Sequence, residues 1–214
     1  MTAFPSRRNG LYSMDDPHDH DYFHFLADLT DAVMVVRDIP HLASETADYL
    51  HAFFGLDYIS LEIYDPAAIR LNNHSVTYDR QNHRSYSNVS KSLHASTLGK
   101  ALQNHETILF NRQVMVENTG KYPFIDALLQ QGLQVLLHIP LVANGILLGS
   151  LAIGSFRHSR FSPDIMELLA RVALRLSGAL DVIQSRNAGD LSGHGNPMTD
   201  ENVLSGNGHP SALH

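Results

Sequence analysis

The sequence predicts an α+β domain, an antiparallel sheet with long helices on one face and short helices and loops over the other. Three observations carry this. Residues 135–156, VLLHIPLVANGILLGSLAIGSF, are two apolar runs around Asn144-Gly145. Both central residues of a type I′ turn need positive φ, which Asn and Gly tolerate best, so the dipeptide marks a β-hairpin. Residues 57–64, DYISLEIY, alternate strictly. That puts Ile59, Leu61 and Ile63 on one strand face and Tyr58, Ser60, Glu62 and Tyr64 on the other. Finally, long segments with helical apolar spacing lie before and after these strands, the order expected of helices packed on an antiparallel sheet.

Taken in order, residues 1–18 are polar and irregular and are expected to be loose. A first helix begins near Asp19 or Asp21, with Phe23, Leu26, Leu29, Val33 and Val36 as its inward stripe. A second helix follows Asp38 as N-cap, with Pro40 in the first turn, where a missing N–H is harmless. Leu42, Thr46, Leu50 and Phe53/Phe54 make its inner face, and Gly55 is suited to end it. The strand at 57–64 turns through 65–68 into a second, peripheral strand at about 69–78. Residues 79–93 read as a polar loop, 96–106 as a short helix, 107–110 as a short strand, 111–121 as another loop and 122–131 as another short helix. After the hairpin, Ser162-Pro163-Asp164 opens the last helix, whose inward residues run from Ile165 to Ile183. Residues 186–214 have little to bury and are expected to be disordered, leaving one domain at 19–185.

The hairpin strands are apolar on both faces and so should be covered on both. One face, with Leu137, Ile139, Leu141, Leu147, Gly149, Leu151 and Ile153, is greasier and suits the main core. The other, with His138, Leu148, Ser150, Ala152 and Gly154, is smaller and more polar. It leaves room for a ligand or for close packing, and the sequence leaves both open, since glycine in a strand marks close approach of either kind.

The bulk numbers narrow the chemistry. A net charge of −7 argues against a chain-wide footprint for nucleic acid or anionic membrane. The absence of cysteine excludes disulfides, thiolate nucleophiles and Cys-based metal sites. No secretory signal is visible, and no run reaches the ~18 apolar residues of a membrane span. A soluble, cytoplasmic protein is expected. Asp15, Asp16, His18, Asp19, His20, Asp21 and His24 place possible ligands close together. An acidic helix start with solvated histidines is the favoured reading there, and no metal or cofactor is expected.

The element order and the hairpin residues resemble a GAF domain, a small-molecule sensory module, over residues 24–184. The likeness rests on Ile139-Pro140-Leu141, the Asn144-Gly145 turn, LGSLAIGS at 148–155 and FSPDIMELLARVA at 161–173. Residues 28–65 and 96–112 are similar to the GAF domain that precedes the ATPase in sigma-54-dependent activators of the formate hydrogenlyase type. That resemblance implies a regulatory domain without enzymatic activity that binds a small effector such as formate or another small anion. The chain departs from those activators in one respect. A phosphate-binding loop needs Gly-x4-Gly-Lys-Ser/Thr, but Gly99-Lys100 is followed by Ala101 and Gly120-Lys121 by Tyr122, and no basic helix-turn-helix is seen. A sensor lacking ATPase and DNA-binding domains is therefore expected. GAF-type methionine sulfoxide reductases use cysteines, which this chain lacks, and the cyclic-nucleotide signature of the phosphodiesterases is not found.

Strand parity gathers Ser60, Glu62, Tyr64, His138 and Ser150 on the smaller face, with Tyr122 and Phe124 from the short helix beside it. These seven are the candidate ligand residues. His138 can donate to a carboxylate or hold it as a cation, although a core histidine bonded to a carbonyl fits the same position. Tyr64, Tyr122 and Phe124 fit packing as well as ligand contact. The competing function is a dimerisation or scaffold domain with no ligand. A weak homodimer through the terminal helices follows from the resemblance, with Ala170 and Leu174 as apolar positions left over on the last helix.

Overall fold

A computed structural model describes residues 19–79, 81–94, 96–121 and 123–192. The expectations for residues 1–18, for Tyr122 and for 193–214 lie outside the described residues. The elements are α1 (Asp19–Met34), α2 (Ile39–Phe54), β1 (Tyr58–Asp65), β2 (Arg70–Tyr78), β3 (Arg84–Ser92), α3 (Thr97–Gln103), β4 (Ile108–Asn111), α4 (Arg112–Glu117), α5 (Pro123–Gln130), β5 (Val135–Ala143), β6 (Ile146–Ser155) and α6 (Pro163–Ser192). The six strands form one antiparallel sheet in the order β3-β2-β1-β6-β5-β4. The fold class is α+β, as the sequence predicts.

Local chemistry sets the element ends. The hairpin turn has Asn144 at φ 52° and Gly145 at φ 76°, the left-handed pair that a type I′ turn needs. The Asp38 carboxylate accepts from His41 N at 2.8 Å and caps α2, which ends at Gly55 with φ 65°. Ser96 caps α3 by accepting from Gly99 N at 2.9 Å.

Helices α2 and α6 lie on the sheet, α2 against β1 and β2, α6 against β5 and β6, and α1 packs against both helices. Their buried residues join Ile59, Leu61, Leu137, Ile139, Leu141, Leu151 and Ile153 in the larger core. Over the opposite face, α3, α4 and α5 enclose a second cluster that includes Leu98, Leu102, Phe110, Met115, Ile125, Leu128, Leu136 and Ala152.

Several expectations need correction. Residues 84–92 are the edge strand β3 rather than loop, and all of it except Lys91 is exposed. An edge strand held by its ladder to β2 needs no apolar alternation, so it leaves no periodic signal. Residues 112–117 form α4, capped by the Asn111 side chain accepting from Val114 N at 2.9 Å. Phe25, not Phe23, completes the α1 stripe. At ~100° per residue Phe23 lies about a quarter turn from the Leu29–Val33 line, and it is 66% exposed. The final helix runs to Ser192, past the expected boundary at 185. Elongation adds a backbone hydrogen bond per residue whether or not a side chain is buried.

A β-bulge changes the parity of the hairpin. Leu141 faces Gly149 but Val142 faces Leu147, so Leu148 is the extra residue. Leu148 turns into the larger core and Leu147 packs on the second cluster, the reverse of simple alternation. At the bulge, Val142 N donates to Ser177 Oγ of α6 at 3.1 Å.

The strand glycines are filled by protein. A Cβ on Gly149 would lie 1.9 Å from Glu62 O, so this glycine admits the β1 backbone. On Gly154 it would lie 2.7 Å from Leu133 Cδ1. Gly149→Ala is therefore expected to cost about 3 kcal/mol, near the top of the range for overpacking, because the obstructing atom is backbone. Gly145→Ala meets no atom within 4 Å and is strained only by its positive φ, with an expected loss of about 1 kcal/mol. Urea unfolding of the two variants measures both.

Candidate functional site

The smaller sheet face carries a row of polar residues. In register, Asn73 on β2 faces Glu62 on β1, which faces Ser150 on β6. Two residues along, Ser75 faces Ser60, which faces Ala152, which faces His138 on β5. Lys91 reaches in from β3. All seven polar side chains belong to buried residues, and Glu62, His138, Ser60 and Ser150 are fully so.

Glu62 is the centre. Lys91 Nζ donates to its Oε1 in a short ion pair. Ser150 Oγ donates to Oε2 at 2.5 Å. His138 Nδ1 lies 3.3 Å from the same oxygen without the alignment of a hydrogen bond. Neither ring nitrogen of His138 has a hydrogen-bond partner among the described residues, and neither does Asn73 Oδ1. Aromatic rings close the site. The Lys91 ammonium sits 4.0 Å from the centroid of the Phe124 ring, a cation–π contact. Phe110 and Phe124 meet the imidazole edge-on, with centroids at 6.1 and 6.4 Å. To one side Ser75 Oγ donates to Ser60 Oγ at 3.1 Å, and Tyr58 OH is 3.4 Å from Ser75 Oγ.

The electrostatics follow from burial and pairing. Burial by itself would raise the Glu62 carboxyl, but the Lys91 ammonium and the His138 imidazole outweigh it and hold the group down at about 2. Burial lowers His138 below its ordinary value, against the opposing pull of Glu62. At neutral pH the face therefore holds a carboxylate, an ammonium that neutralises it, and an uncharged imidazole. Such an arrangement suits reversible hydrogen bonding to a small polar molecule. No group of three or more His, Asp or Glu side chains is placed to hold a metal among the described residues.

The GAF domain family model matches residues 38–180. The chain is a GAF domain. Over 166 residues it is 25% identical to the formate hydrogenlyase transcriptional activators of Salmonella typhimurium and of Escherichia coli K12, covering 76% of this chain. The chain spans only 24% of the length of those relatives. Among solved structures, the GAF domain of a Coxiella burnetii phosphoenolpyruvate-protein phosphotransferase superposes with a TM-score of 0.62 at 16% identity, covering 79% of this chain and 98% of that one. The free methionine-R-sulfoxide reductase of Neisseria meningitidis gives a TM-score of 0.59 at 15% identity, covering 80% and 96% of the two chains. Likenesses at these identities establish the fold. No helix among the described residues is long and apolar enough to cross a membrane.

Four of the seven sequence-predicted residues, Ser60, Glu62, His138 and Ser150, come together on one face, and Phe124 covers it. Tyr64 lies at the far end of β1, partly buried against the second cluster. Tyr122 lies outside the described residues. Sequence reasoning missed Lys91, Asn73, Ser75 and Phe110. Lys91 sits in a segment of serines and asparagine, and a lone lysine there carries no sign of burial.

Removing one partner of a buried ion pair exposes the other's desolvation cost. Lys91→Met is expected to cost about 3–5 kcal/mol, and much less in a Glu62→Gln background. Urea unfolding of the four-member cycle measures the coupling. Glu62 and His138 both titrate lower in the folded chain, so the unfolded chain binds more protons in acid. Stability is expected to be full above the ordinary His value of 6.5, to decline below it, and to fall again from 4.5 toward about 2 as Glu62 is protonated. Unfolding midpoints measured across pH test this, and Glu62→Gln should flatten the lower limb.

Proposed function

We propose that this GAF domain is the small-molecule-sensing part of a transcriptional regulator, binding its effector on the sheet face around Glu62, His138 and Ser150. The observation that carries the reading is a fully buried imidazole with neither nitrogen hydrogen-bonded among the described residues, Nδ1 lying 3.3 Å from Glu62 Oε2. An unsatisfied buried polar group is costly, and sites that persist with one are commonly poised for a ligand. The similarity to formate hydrogenlyase transcriptional activators supports a regulatory role and makes formate or another small anion the effector to try first. On this reading the domain is not an enzyme, works in the cytoplasm and contacts neither nucleic acid nor membrane. On this reading the domain itself neither hydrolyses ATP nor binds DNA.

A ligand that binds only the native state raises Tm. A thermal-shift screen of formate, other short acids and nucleotides is expected to give a dose-dependent rise with a short acid. His138→Leu should weaken that binding at least tenfold. An unchanged affinity would remove His138 from the site.

A second reading, a dimerisation or scaffold role, has its own support. Leu174 and Val182 on α6 and Phe23 and Met34 on α1 are exposed, and these two helices pack side by side. On α6 the residues Ala170, Leu174, Gly178 and Val182 recur at i, i+4 spacing on the outer face. So small a patch suits a weak homodimer. Sedimentation should show a monomer–dimer equilibrium at tens of micromolar that Leu174→Glu shifts to monomer. A monomer at every concentration would exclude association through α6.

A further inference from the structure

The charges around His138 bear on how an anion could enter this site, an inference that rests on the ligand-binding reading above. The groups facing the imidazole come from five elements. From β1 comes the Glu62 carboxylate and from β3 the Lys91 ammonium, the charged groups that act on it. From β6 comes Ser150, committed to Glu62, and from β4 and α5 come only the edges of Phe110 and Phe124. Charges on the covering helices are directed elsewhere. Arg112 donates to Leu133 O at 2.8 Å, Glu117 accepts from Gln113, Asp126 accepts from Gly120 N through Oδ2 while its Oδ1 is buried without a hydrogen bond, and Lys100 is exposed. Lys91 and Glu62 cancel, so with a neutral imidazole the site has no net charge.

A carboxylate entering beside His138 would bring an unbalanced negative charge into a buried site that already contains Glu62. Lys91 cannot balance it, because its ammonium is bound to Glu62 Oε1. A neutral imidazole offers a single N–H. If His138 takes a proton, both nitrogens donate, one toward Glu62 Oε2 at 3.3 Å and the other toward the ligand. The sequence of charges then alternates: ammonium, carboxylate, imidazolium, ligand carboxylate.

We propose that this site binds a small monocarboxylate together with one proton, which His138 takes up from solvent as the ligand enters. One N–H bond forms on the imidazole as the corresponding bond in a hydronium ion or buffer acid breaks, and no bond between heavy atoms changes; one proton is taken up for each ligand bound. Linkage then fixes the pH dependence. Above the value at which the free protein's His138 titrates, affinity falls about tenfold for each unit rise in pH.

The probe is formate, with acetate as a second, on the 214-residue chain. Titration calorimetry at pH 7.5 in buffers of different ionisation enthalpy counts the protons, and about one taken up per formate is expected. The apparent Kd should rise about tenfold from pH 7.0 to 8.0. NMR titration of the His138 ring in the unaltered protein should show its protonation moving to higher pH with formate, a readout that needs no variant. His138→Gln, which keeps one amide donor, should bind more weakly with no proton uptake and no pH slope. Binding with a pH-independent Kd and no proton uptake would overturn the coupling and leave the sensing reading standing. Failure of formate and acetate to bind at any pH from 6 to 8 would overturn both.

Discussion

A carboxylate in the middle of a buried sheet face is the constraint on which this site depends. Glu62 has no exposure to solvent, and its charge is tolerable only because Lys91, Ser150 and His138 converge on it. Each partner comes from a different strand, so the pairing uses most of the sheet. The edge strand β3 must be in register with β2 to deliver Lys91. Its neighbours on the covering side must include Phe124, whose ring faces the ammonium. Even Gly149 belongs to this arrangement, because the β1 backbone at Glu62 occupies the space a side chain would fill. The larger core on the opposite face is, by contrast, an ordinary apolar layer that needs no particular partner.

Much of the fold was legible because its strongest signals are local. Asn144-Gly145 can hardly be anything but a turn between two apolar runs, and Asp38, Pro40 and Gly55 frame α2 by chemistry that acts within one helical turn. Elements without a buried face were not legible. The β3 strand is held by backbone bonds to β2, and α4 is six residues long with only Met115 buried. The bulge at Leu141/Val142 also left no trace, since Leu147 and Leu148 are the same residue type and exchange faces without changing the pattern.

The site was half legible for a related reason. Parity along single strands placed Ser60 and Glu62 on one face, and His138 and Ser150 on another, from sequence. Joining the two sets required β1 to lie next to β6, a long-range pairing that residue spacing along a strand does not carry. Lys91 was invisible because a lysine is read as solvated unless something opposite it is known to be charged. Nothing in the strand that carries Glu62 shows what the carboxylate pairs with. The structure places it in contact with both His138 and Lys91.

The length of α6 has a mechanical consequence. At ~1.5 Å per residue its 30 residues make a rod of about 45 Å, longer than the roughly 34 Å of the ten-residue strand β6 beneath it. Ser177 lies near the middle of that rod and is tied to Val142, four positions along β5 from His138. The strand that presents the imidazole to one face thus also holds the middle of this rod on the other. A tilt of about 10° around Ser177 would carry Ser192 through about 4 Å and Pro163 by a similar amount in the opposite sense. Any such tilt grows with distance from Ser177 and is largest at the two ends of α6.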